Sequence, residues 1–260
     1  MFESLKELLG YRYMIRNLVK REIRGRYKGS VLGFIWNFIV PLVQILVYVI
    51  VFSAIFKPGI ENYPIYLTSG MIAWFFFSDS LIEGSGTFVG NSDMLKKIYF
   101  PRSVLPISVV LSKMVNFLIT LGIFFILIAI LGYGVSVEAL LFLIPVMIIY
   151  LIFTLGLSLL FSSINVYLRD IQYIISVLMM VWIWMTPIMY LRNSYENAIL
   201  DFIVKYNPMT YFTELFQSIL YWKAIPDTYT IVVSCILALL SITAGTIVFK
   251  LLENNFAEVL

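Results

Sequence analysis

Six long apolar stretches constrain this chain more than any other feature of its sequence. Each is close to or longer than the roughly 20 residues that an α-helix needs to cross about 30 Å of hydrocarbon. They lack the alternation of membrane-barrel strands, and backbone groups in lipid must be paired within their own segment, so each stretch is predicted to be a helix. The predicted spans are residues 31–56, 66–89, 104–131, 139–164, 171–191 and 229–252.

The composition agrees with a bilayer as the solvent of this chain. Hydrophobic residues make up 61% of its 260 residues and charged residues 13%, which leaves too little polar surface to cover a water-soluble globule. The chain has no histidine, the commonest general base and a usual zinc ligand, and its single cysteine excludes an internal disulfide. We predict one all-α membrane domain over residues 1–260, with no catalytic residue, metal site or cofactor of its own.

The placement of Lys and Arg predicts the orientation. Residues 1–28 hold eight of them, and the connection between the second and third spans holds Lys96, Lys97 and Arg102, whereas the connection between the third and fourth spans holds none. Basic segments near the ends of spans stay on the cytoplasmic side. With six spans, both termini are then cytoplasmic, and the chain is a multi-pass protein of the cytoplasmic membrane.

The N-terminal arm, residues 1–28, has apolar residues spaced among its charges. This pattern is typical of an amphipathic helix that lies along the inner headgroups. One interpretation is a simple orientation signal whose arginines reach the headgroups. The other is a structured interfacial helix that also contacts a partner protein.

The first span has a polar and aromatic side. At about 100° per residue, its small, amide and aromatic residues fall within an arc of roughly 140°, while the rest of its circumference is apolar. This arc is either an ordinary packing face or the wall of a transport pathway. In the second interpretation, amides bind hydroxyls and aromatic rings stack on C–H faces, which suits sugars. The wall would then be formed by Trp36, Asn37, Gln44 and Tyr48.

The second span has a stripe of small residues and two carboxylates. Carboxylates within a membrane are costly unless they are paired or hydrated. Asp79 and Glu83 lie one turn apart, about two turns from the inner end, and Lys113 lies at comparable depth in the third span. We predict an intramembrane ion pair among these three residues, rather than a proton relay or a substrate contact. The stripe predicts close helix packing through Ser69, Ala73, Ser80, Gly84 and Thr87.

The connection "GNSDMLKKIYFPRSVLP" after the second span predicts a short helix at about residues 91–100. Asn91 or Ser92 can cap it, Asp93 suits its first turn, and Pro101 follows its end. A compact charged helix on the cytoplasmic side is suited to docking into a soluble partner. The alternative is a plain connecting turn.

The fifth span contains "WIWMTPIMY", where Pro187 is predicted to kink the helix near its outer end. Trp182 and Trp184 lie about 200° apart on a helix, so both cannot face one pore. One of them is expected to line the pathway while the other contacts lipid or a neighbouring helix. A passive aromatic belt at the membrane surface is the alternative.

The longest connection, residues 192–228, contains two short amphipathic pieces, "SYENAILDFIVKY" and "PMTYFTELFQSILYW". Pro208 can begin the second helix, because proline is tolerated in the first turn. Neither piece is apolar enough to span alone. We predict a re-entrant or interfacial helix pair at the outer mouth.

Several stretches resemble the ABC-2 type transporter permeases, specifically the polysaccharide and polyol phosphate exporters, and most closely the permeases of O-antigen exporters. They are "REIRGRYKGSVLGFIWNFIVPLVQILVYVIVF", "YPIYLTSGMIAWFFFSDSL", "LKKIYFPRSVLP", "NVYLRDIQ", "WMTPIMY" and "YNPMTYF". The resemblance implies a homodimer around a continuous channel. It also implies an interfacial helix in residues 1–28, spans one to five in residues 31–191, re-entrant helices in residues 192–228, and a last span in residues 229–252.

The resemblance further implies two copies of a separate ATPase subunit, which would bind ATP and Mg²⁺. The sequence agrees, since it has no G-x-x-x-x-G-K-[ST] loop to cradle phosphates. The ATPase would press on the N-terminal arm and on a coupling helix whose contacts are Asp93, Lys96, Lys97 and Tyr99. The pyrophosphate end of an undecaprenyl-linked polysaccharide is expected to be drawn to Arg24, Arg26 and Lys28.

The function expected from the resemblance is export of O-antigen for lipopolysaccharide biosynthesis. Other cargoes for such an exporter are teichoic acid, capsular polysaccharide or small amphiphiles. A different class is a membrane glycan or lipid transferase. Such enzymes usually have clustered Asp, Glu or His in a cytoplasmic loop, whereas Asp170 is the only acid of its loop here.

Overall fold

The computed structural model describes residues 10–25, 29–55, 59–192 and 197–259, and the regular elements in these residues are all helical. The first half of the chain contains α1 Arg12–Gly25, α2 Trp36–Ile55, α3 Tyr63–Ser85, α4 Thr87–Gly90, α5 Ser92–Lys97 and α6 Val104–Ile130. The second half contains α7 Val137–Leu141, α8 Leu143–Tyr167, α9 Ile171–Trp182, α10 Ala198–Tyr206, α11 Pro208–Leu220, α12 Thr228–Leu252 and α13 Phe256–Val259.

Four helical segments of the described chain are long and apolar enough to cross a membrane. They are Tyr63–Ser85, Val104–Ile130, Val137–Tyr167 and Thr228–Asn255. Two shorter apolar segments, Trp36–Phe52 and Ile171–Met185, accompany them. The chain is therefore a multi-pass membrane protein.

Helix α3 is the centre of the bundle. In the most apolar 18-residue part of α3, 78% is buried within the protein. In the corresponding part of α12 only 22% is buried, which leaves most of α12 to face lipid. The predicted stripe of small residues lies on α3 and at the start of α4, and all five of its residues are buried. Close helix packing along this stripe is confirmed, since Gly84 lies so near Ser158 of α8 that a Cβ there would clash.

Aromatic rings fill the space between α3, α8 and α11. Phe153 stacks between two of them, 5.7 Å from Phe77 and 4.5 Å from Phe212 in ring centroids. Tyr150 is fully buried nearby, and its hydroxyl donates a 2.7 Å hydrogen bond to the carbonyl of Ala73. Buried aromatic pairs contribute about 0.5–1.5 kcal/mol beyond the area that they bury, so this cluster holds α11 against the central helix.

Helices α8 and α12 cross in close contact. A Cβ added to Gly156 would clash with the backbone of Ser241, and one added to Gly245 would clash with the backbone of Gly156. The hydroxyl of Ser241 donates a 3.0 Å hydrogen bond to the carbonyl of Phe153. Small residues permit this approach where dispersion forces and hydrogen bonds, rather than water exclusion, hold helices together.

The prediction that Pro187 kinks a continuing fifth helix to residue 191 is wrong. Helix α9 is followed by a 3₁₀ turn, Ile183–Met185, and the helix ends there. Thr186 adopts an extended conformation, with φ −104° and ψ 133°. The residue before a proline is disfavoured in the helical conformation. The helix therefore ends before Pro187 and does not continue past it with a kink.

The inner end of the bundle is a second apolar cluster under the N-terminal helix. Leu18 of α1 is buried there, against a group that includes Phe88 of α4, Phe249 of α12 and Phe256 of α13. The basic residues of α1 stay exposed, as an amphipathic helix requires. Residues 1–9 and 26–28 of the predicted arm, among them Arg26 and Lys28, lie outside the described residues.

Candidate functional site

A polar cavity lies within the apolar bundle, between α2, α3 and α6. Its volume is about 70 Å³. A water molecule occupies about 30 Å³ of liquid, so the cavity has room for a few waters, and a sugar ring with its hydroxyls is too large. The polar side chains that line it are Asn37, Gln44, Asp79, Lys113, Asn116 and Thr120.

One residue that lines this cavity, Lys113, belongs to an ion pair. Lys113 of α6 pairs through Nζ with Oε2 of Glu83 on α3. The Lys113 side chain is only 2% exposed and that of Glu83 is 38% exposed. The sequence placed Lys113 with Asp79 and Glu83; the structure pairs it with Glu83, and Asp79 lines the cavity one turn away. An ammonium group this deep is stable only with such a partner.

The polar side of α2 faces more than one environment. Asn37 is 4% exposed and borders the cavity, and Gln44, two turns further, borders it as well. Trp36 instead holds the start of the helix, since its indole N–H donates a 2.9 Å hydrogen bond to the hydroxyl of Ser30. The two amides of the predicted wall therefore lie beside the ion pair.

Tyr48, the other aromatic residue of the predicted wall, lies in the second half of α2. Tyr48 stacks on Phe52, with ring centroids 6.0 Å apart. Phe52 lies 6.1 Å from Trp184, which follows α9 and is 58% exposed. These rings form one aromatic surface on α2 and the end of α9, and the exposed Trp184 makes it accessible from outside the protomer.

Trp182 lies inside the protomer, unlike Trp184. Its indole N–H donates a 2.8 Å hydrogen bond to the side-chain oxygen of Asn207, and its ring meets Phe77 edge-on at 5.5 Å. The two tryptophans face different surroundings, as their predicted angular separation requires. The ring of Trp182 joins the end of α9 to the outer helix pair.

Asn207 is a residue whose role the sequence did not reveal. Its side-chain oxygen also accepts from the amide of Met209, which caps α11, and its NH₂ group donates to the carbonyl of Met185 and the hydroxyl of Thr186. The signal available in the sequence was Asn directly before Pro208, the usual order of a cap and a first helical residue. Nothing in that signal indicated the bonds to α9.

The outer end also contains an ion pair that the sequence analysis did not single out. Arg192 Nη1 donates to both carboxylate oxygens of Glu214, at 3.0 and 2.8 Å, and the guanidinium lies 5.3 Å from the ring centroid of Tyr211. Burial raises the pKa of Glu214, and Arg192 offsets part of that rise. The pair ties the segment after α9 to α11.

Tyrosine hydroxyls at the same end form hydrogen bonds between the segments that connect the helices. Tyr221 donates a 2.6 Å hydrogen bond to the carbonyl of Glu61, and Tyr133 donates a 2.8 Å bond to the carbonyl of Tyr221. Lys223 donates to the carbonyl of Tyr133 and lies 3.7 Å from its ring centroid. The start of α3, the end of α6 and the end of α11 are thereby held together.

The short helix predicted at about residues 91–100 is present as α5, Ser92–Lys97. Asp93 lies in its first turn, Lys96 and Lys97 lie in its last turn, and all three are exposed. Tyr99, just beyond the helix, is 93% exposed. The four residues proposed to contact a partner thus form one accessible surface at the inner end.

Asn91 is the residue at the N-terminal cap position of α5, as one of the two predicted candidates, but its side chain makes no capping hydrogen bond. Asn91 occupies the cap position, but its NH₂ group donates to the carbonyl of Thr87 at 2.9 Å, and its side-chain oxygen accepts a 2.7 Å hydrogen bond from Arg21. A side-chain amide oxygen forms a stronger hydrogen bond with a charged guanidinium donor than with a neutral backbone N–H. Asn91 therefore links α5 to the N-terminal helix.

The part of the chain that the structure describes contains no cluster of three or more His, Cys, Asp or Glu residues that could hold a metal ion. Some of the polar side chains instead pair or form hydrogen bonds between helices, as Lys113 does with Glu83 and Tyr150 with Ala73. The polar residues around the cavity between α2, α3 and α6 can orient these helices, and the cavity can admit water.

The sequence matches a known family. A family model described as ABC-2 type transporter matches residues 13–221. This chain belongs to the ABC-2 type transporter family. It is 33% identical over 259 residues to the O-antigen export system permease protein RfbA of Myxococcus xanthus, with 99% of each chain covered. It is 30% identical over 212 residues to a protein of the same name from Klebsiella pneumoniae, with 79% of each chain covered.

Proposed function

We propose that this chain is the transmembrane subunit of an ABC exporter that moves a lipid-linked polysaccharide of the O-antigen type across the cytoplasmic membrane. The observation that carries the proposal is the similarity, over nearly the full length, to the Myxococcus xanthus protein named as an O-antigen export permease. The multi-pass helical fold supports it. A non-enzymatic role is supported by the missing phosphate-binding loop in the sequence.

We propose six membrane crossings, with α2 and α9 added to the four long segments. Helix α2 has 20 residues, about 30 Å at 1.5 Å per residue. Residues 171–185 cover only about 22 Å by the same rise. The turn and bends at residues 186–190 are proposed to complete the crossing, because Thr186, Pro187 and Ile188 are buried in protein, where an irregular backbone is tolerated.

The proposed orientation puts α1, α5 and both termini in the cytoplasm. The exposed bases of α1 and the pair Lys96 and Lys97 lie at one end of the bundle, where the positive-inside rule puts them. Helices α10 and α11 then form the re-entrant or interfacial pair at the outer mouth.

The proposed polysaccharide route lies between two copies of this chain. A cavity of about 70 Å³ within one copy does not admit a sugar. The exposed aromatic surface at Tyr48 and Trp184 is where a second copy would complete a wall suited to sugar rings. Trp36, Asn37, Gln44 and Trp182 join this wall when α2 and α9 move apart from the bundle.

Energy is proposed to come from two copies of an ATPase subunit, which bind ATP and Mg²⁺. They press on the exposed surface of Asp93, Lys96, Lys97 and Tyr99, and the Arg21–Asn91 hydrogen bond passes the movement to α1. Arg24, with Arg26 and Lys28, attracts the pyrophosphate of the undecaprenyl carrier at the inner leaflet.

The test is reconstitution of the chain with its ATPase subunit in lipid vesicles that contain lipid-linked glycan. We expect the glycan to stimulate ATP hydrolysis and to reach the vesicle lumen only while ATP is hydrolysed. An ATPase variant that lacks its phosphate-binding lysine is the control. ATP hydrolysis that responds to a fluorescent small amphiphile but not to the glycan would favour the amphiphile exporter, and glycan transfer without the ATPase would contradict the proposal.

A further inference from the structure

A polar cleft of about 570 Å³ opens at the outer end of the protomer. It lies between α10, α11 and the first turn of α12, far from the coupling helix at the inner end. Its volume is within the range of about 300–1,000 Å³ that small-molecule sites occupy. No role in the proposed route has been assigned to it so far.

The lining of this outer cleft combines one aromatic ring with polar groups. Trp222, between α11 and α12, is 55% exposed. The other eight lining residues are polar or charged: Arg192, Asp201, Lys205, Glu214, Gln217, Ser218, Asp227 and Thr230. An indole face beside hydrogen-bonding groups can contact the C–H surface of a sugar while its hydroxyls are bound.

Several of the charged groups in the cleft are fixed in place. Arg192 donates hydrogen bonds to both carboxylate oxygens of Glu214. Asp227 accepts the amide of Tyr229 at 3.1 Å and so caps α12. Groups held in this way lose little conformational entropy when a ligand binds, which favours binding.

The charge balance selects the ligand. Two bases and three acids line the cleft, which gives a net charge of 2 − 3 = −1. A polymer rich in phosphate would be repelled by the excess acid, and an apolar amphiphile would displace water from these polar groups without offering hydrogen bonds in return. A neutral, hydroxyl-rich chain satisfies both donors and acceptors.

We infer that this cleft binds neutral sugar units of the exported polysaccharide as they emerge on the outer side, with Trp222 as the stacking residue. The inference rests on the proposed function. Glycan held at the exit resists sliding back toward the membrane, which makes outward movement easier to sustain. A teichoic acid or another polyol phosphate does not fit this cleft.

The experiment places a photo-crosslinking benzoylphenylalanine at position 222 in the full exporter, in cells that make and export the glycan. An aromatic replacement at this exposed position is compatible with folding. The matched control places the same residue at Leu239, which is 62% exposed in the middle of α12. We expect irradiation to produce a ladder of glycan adducts at position 222 and none at position 239.

A second pair of variants tests the stacking contact by function. Trp222→Ala is expected to lower the export rate about three- to tenfold while ATP hydrolysis continues, and Trp222→Phe to restore it. A merely structural role would reduce the folded protein and its ATP hydrolysis together.

The outcomes separate this inference from the proposed function. Cells that export glycan but give no adduct at position 222 overturn the cleft and leave the exporter intact. Equal adducts at positions 222 and 239, or adducts made of a phosphate-rich polymer, overturn the assignment of the ligand. Absence of export from every strain, the unmodified one included, contradicts the proposed function itself.

Discussion

Replacing Lys113 by methionine tests whether the ion pair within the bundle holds α3 to α6. The substitution keeps most of the side-chain volume and removes the ammonium group that pairs with Glu83. The carboxylate of Glu83 then loses the ammonium group of Lys113. We expect the folded protein to lose stability for this reason rather than through a cavity.

The magnitude follows from the exposure of the two partners. Removing one partner of a fully buried ion pair costs about 3–5 kcal/mol, and an exposed pair contributes only about 0–1 kcal/mol. The Lys113 side chain is 2% exposed, but the Glu83 side chain is 38% exposed. Water can therefore partly hydrate the Glu83 carboxylate after the substitution. We therefore expect a loss of about 2 kcal/mol.

The assay is equilibrium unfolding of the purified protein in mixed detergent micelles, followed by circular dichroism. Lys250→Met is the matched control, because Lys250 is exposed in the last turn of α12 and its loss should change stability by less than about 0.5 kcal/mol. The double variant Lys113→Met with Glu83→Gln should lose less than the sum of the two single variants. Additive losses, or a Lys113→Met variant as stable as the control, would refute the reasoning.

Three further substitutions test contacts between helices. Asn207→Ala removes three side-chain hydrogen bonds to α9 and the residues that follow it, together with the cap of α11, and should cost about 2–4 kcal/mol, whereas Asn197→Ala removes only a helix cap and should cost about 1 kcal/mol in the same unfolding assay. Gly245→Val should abolish the folded monodisperse protein on size-exclusion chromatography, while Gly122→Val, which faces open space, should leave it intact; equal yields would contradict the close crossing. Arg21→Ala should lower export more than ATP hydrolysis in reconstituted vesicles, and an equal loss of both would show that α1 does not transmit the movement.

Local sequence rules predicted the helices and many of their ends. Hydrophobic length gave the long segments, and a short helix was expected within residues 91–100, where α5 lies at Ser92–Lys97. Proline in the first turn predicted the start of α11 at Pro208, which is confirmed. These features depend on neighbours in the sequence, so the sequence contains the information that they need.

Where local rules failed, a contact from another helix competed with them. Asn91 looked like a cap for α5 because its own amide neighbours were the only partners visible in the sequence. Arg21 lies 70 positions away and offers a charged donor that the sequence pattern could not place. Thr186 differs, because a local rule does apply to it. A residue before proline is disfavoured in the helical conformation, and this rule predicts that α9 ends before Pro187.

The sequence by itself determined that this chain is a helical membrane protein with basic residues gathered in a few of its segments, because hydropathy and charge act on each segment separately. Only the tertiary structure decided that Lys113 pairs with Glu83, that Gly156 meets Gly245, and that the outer cleft forms between α10, α11 and α12. Within lipid, many surfaces of a helix are equally apolar. The choice among them depends on shape and on a few polar groups that come together only when distant parts of the chain are packed.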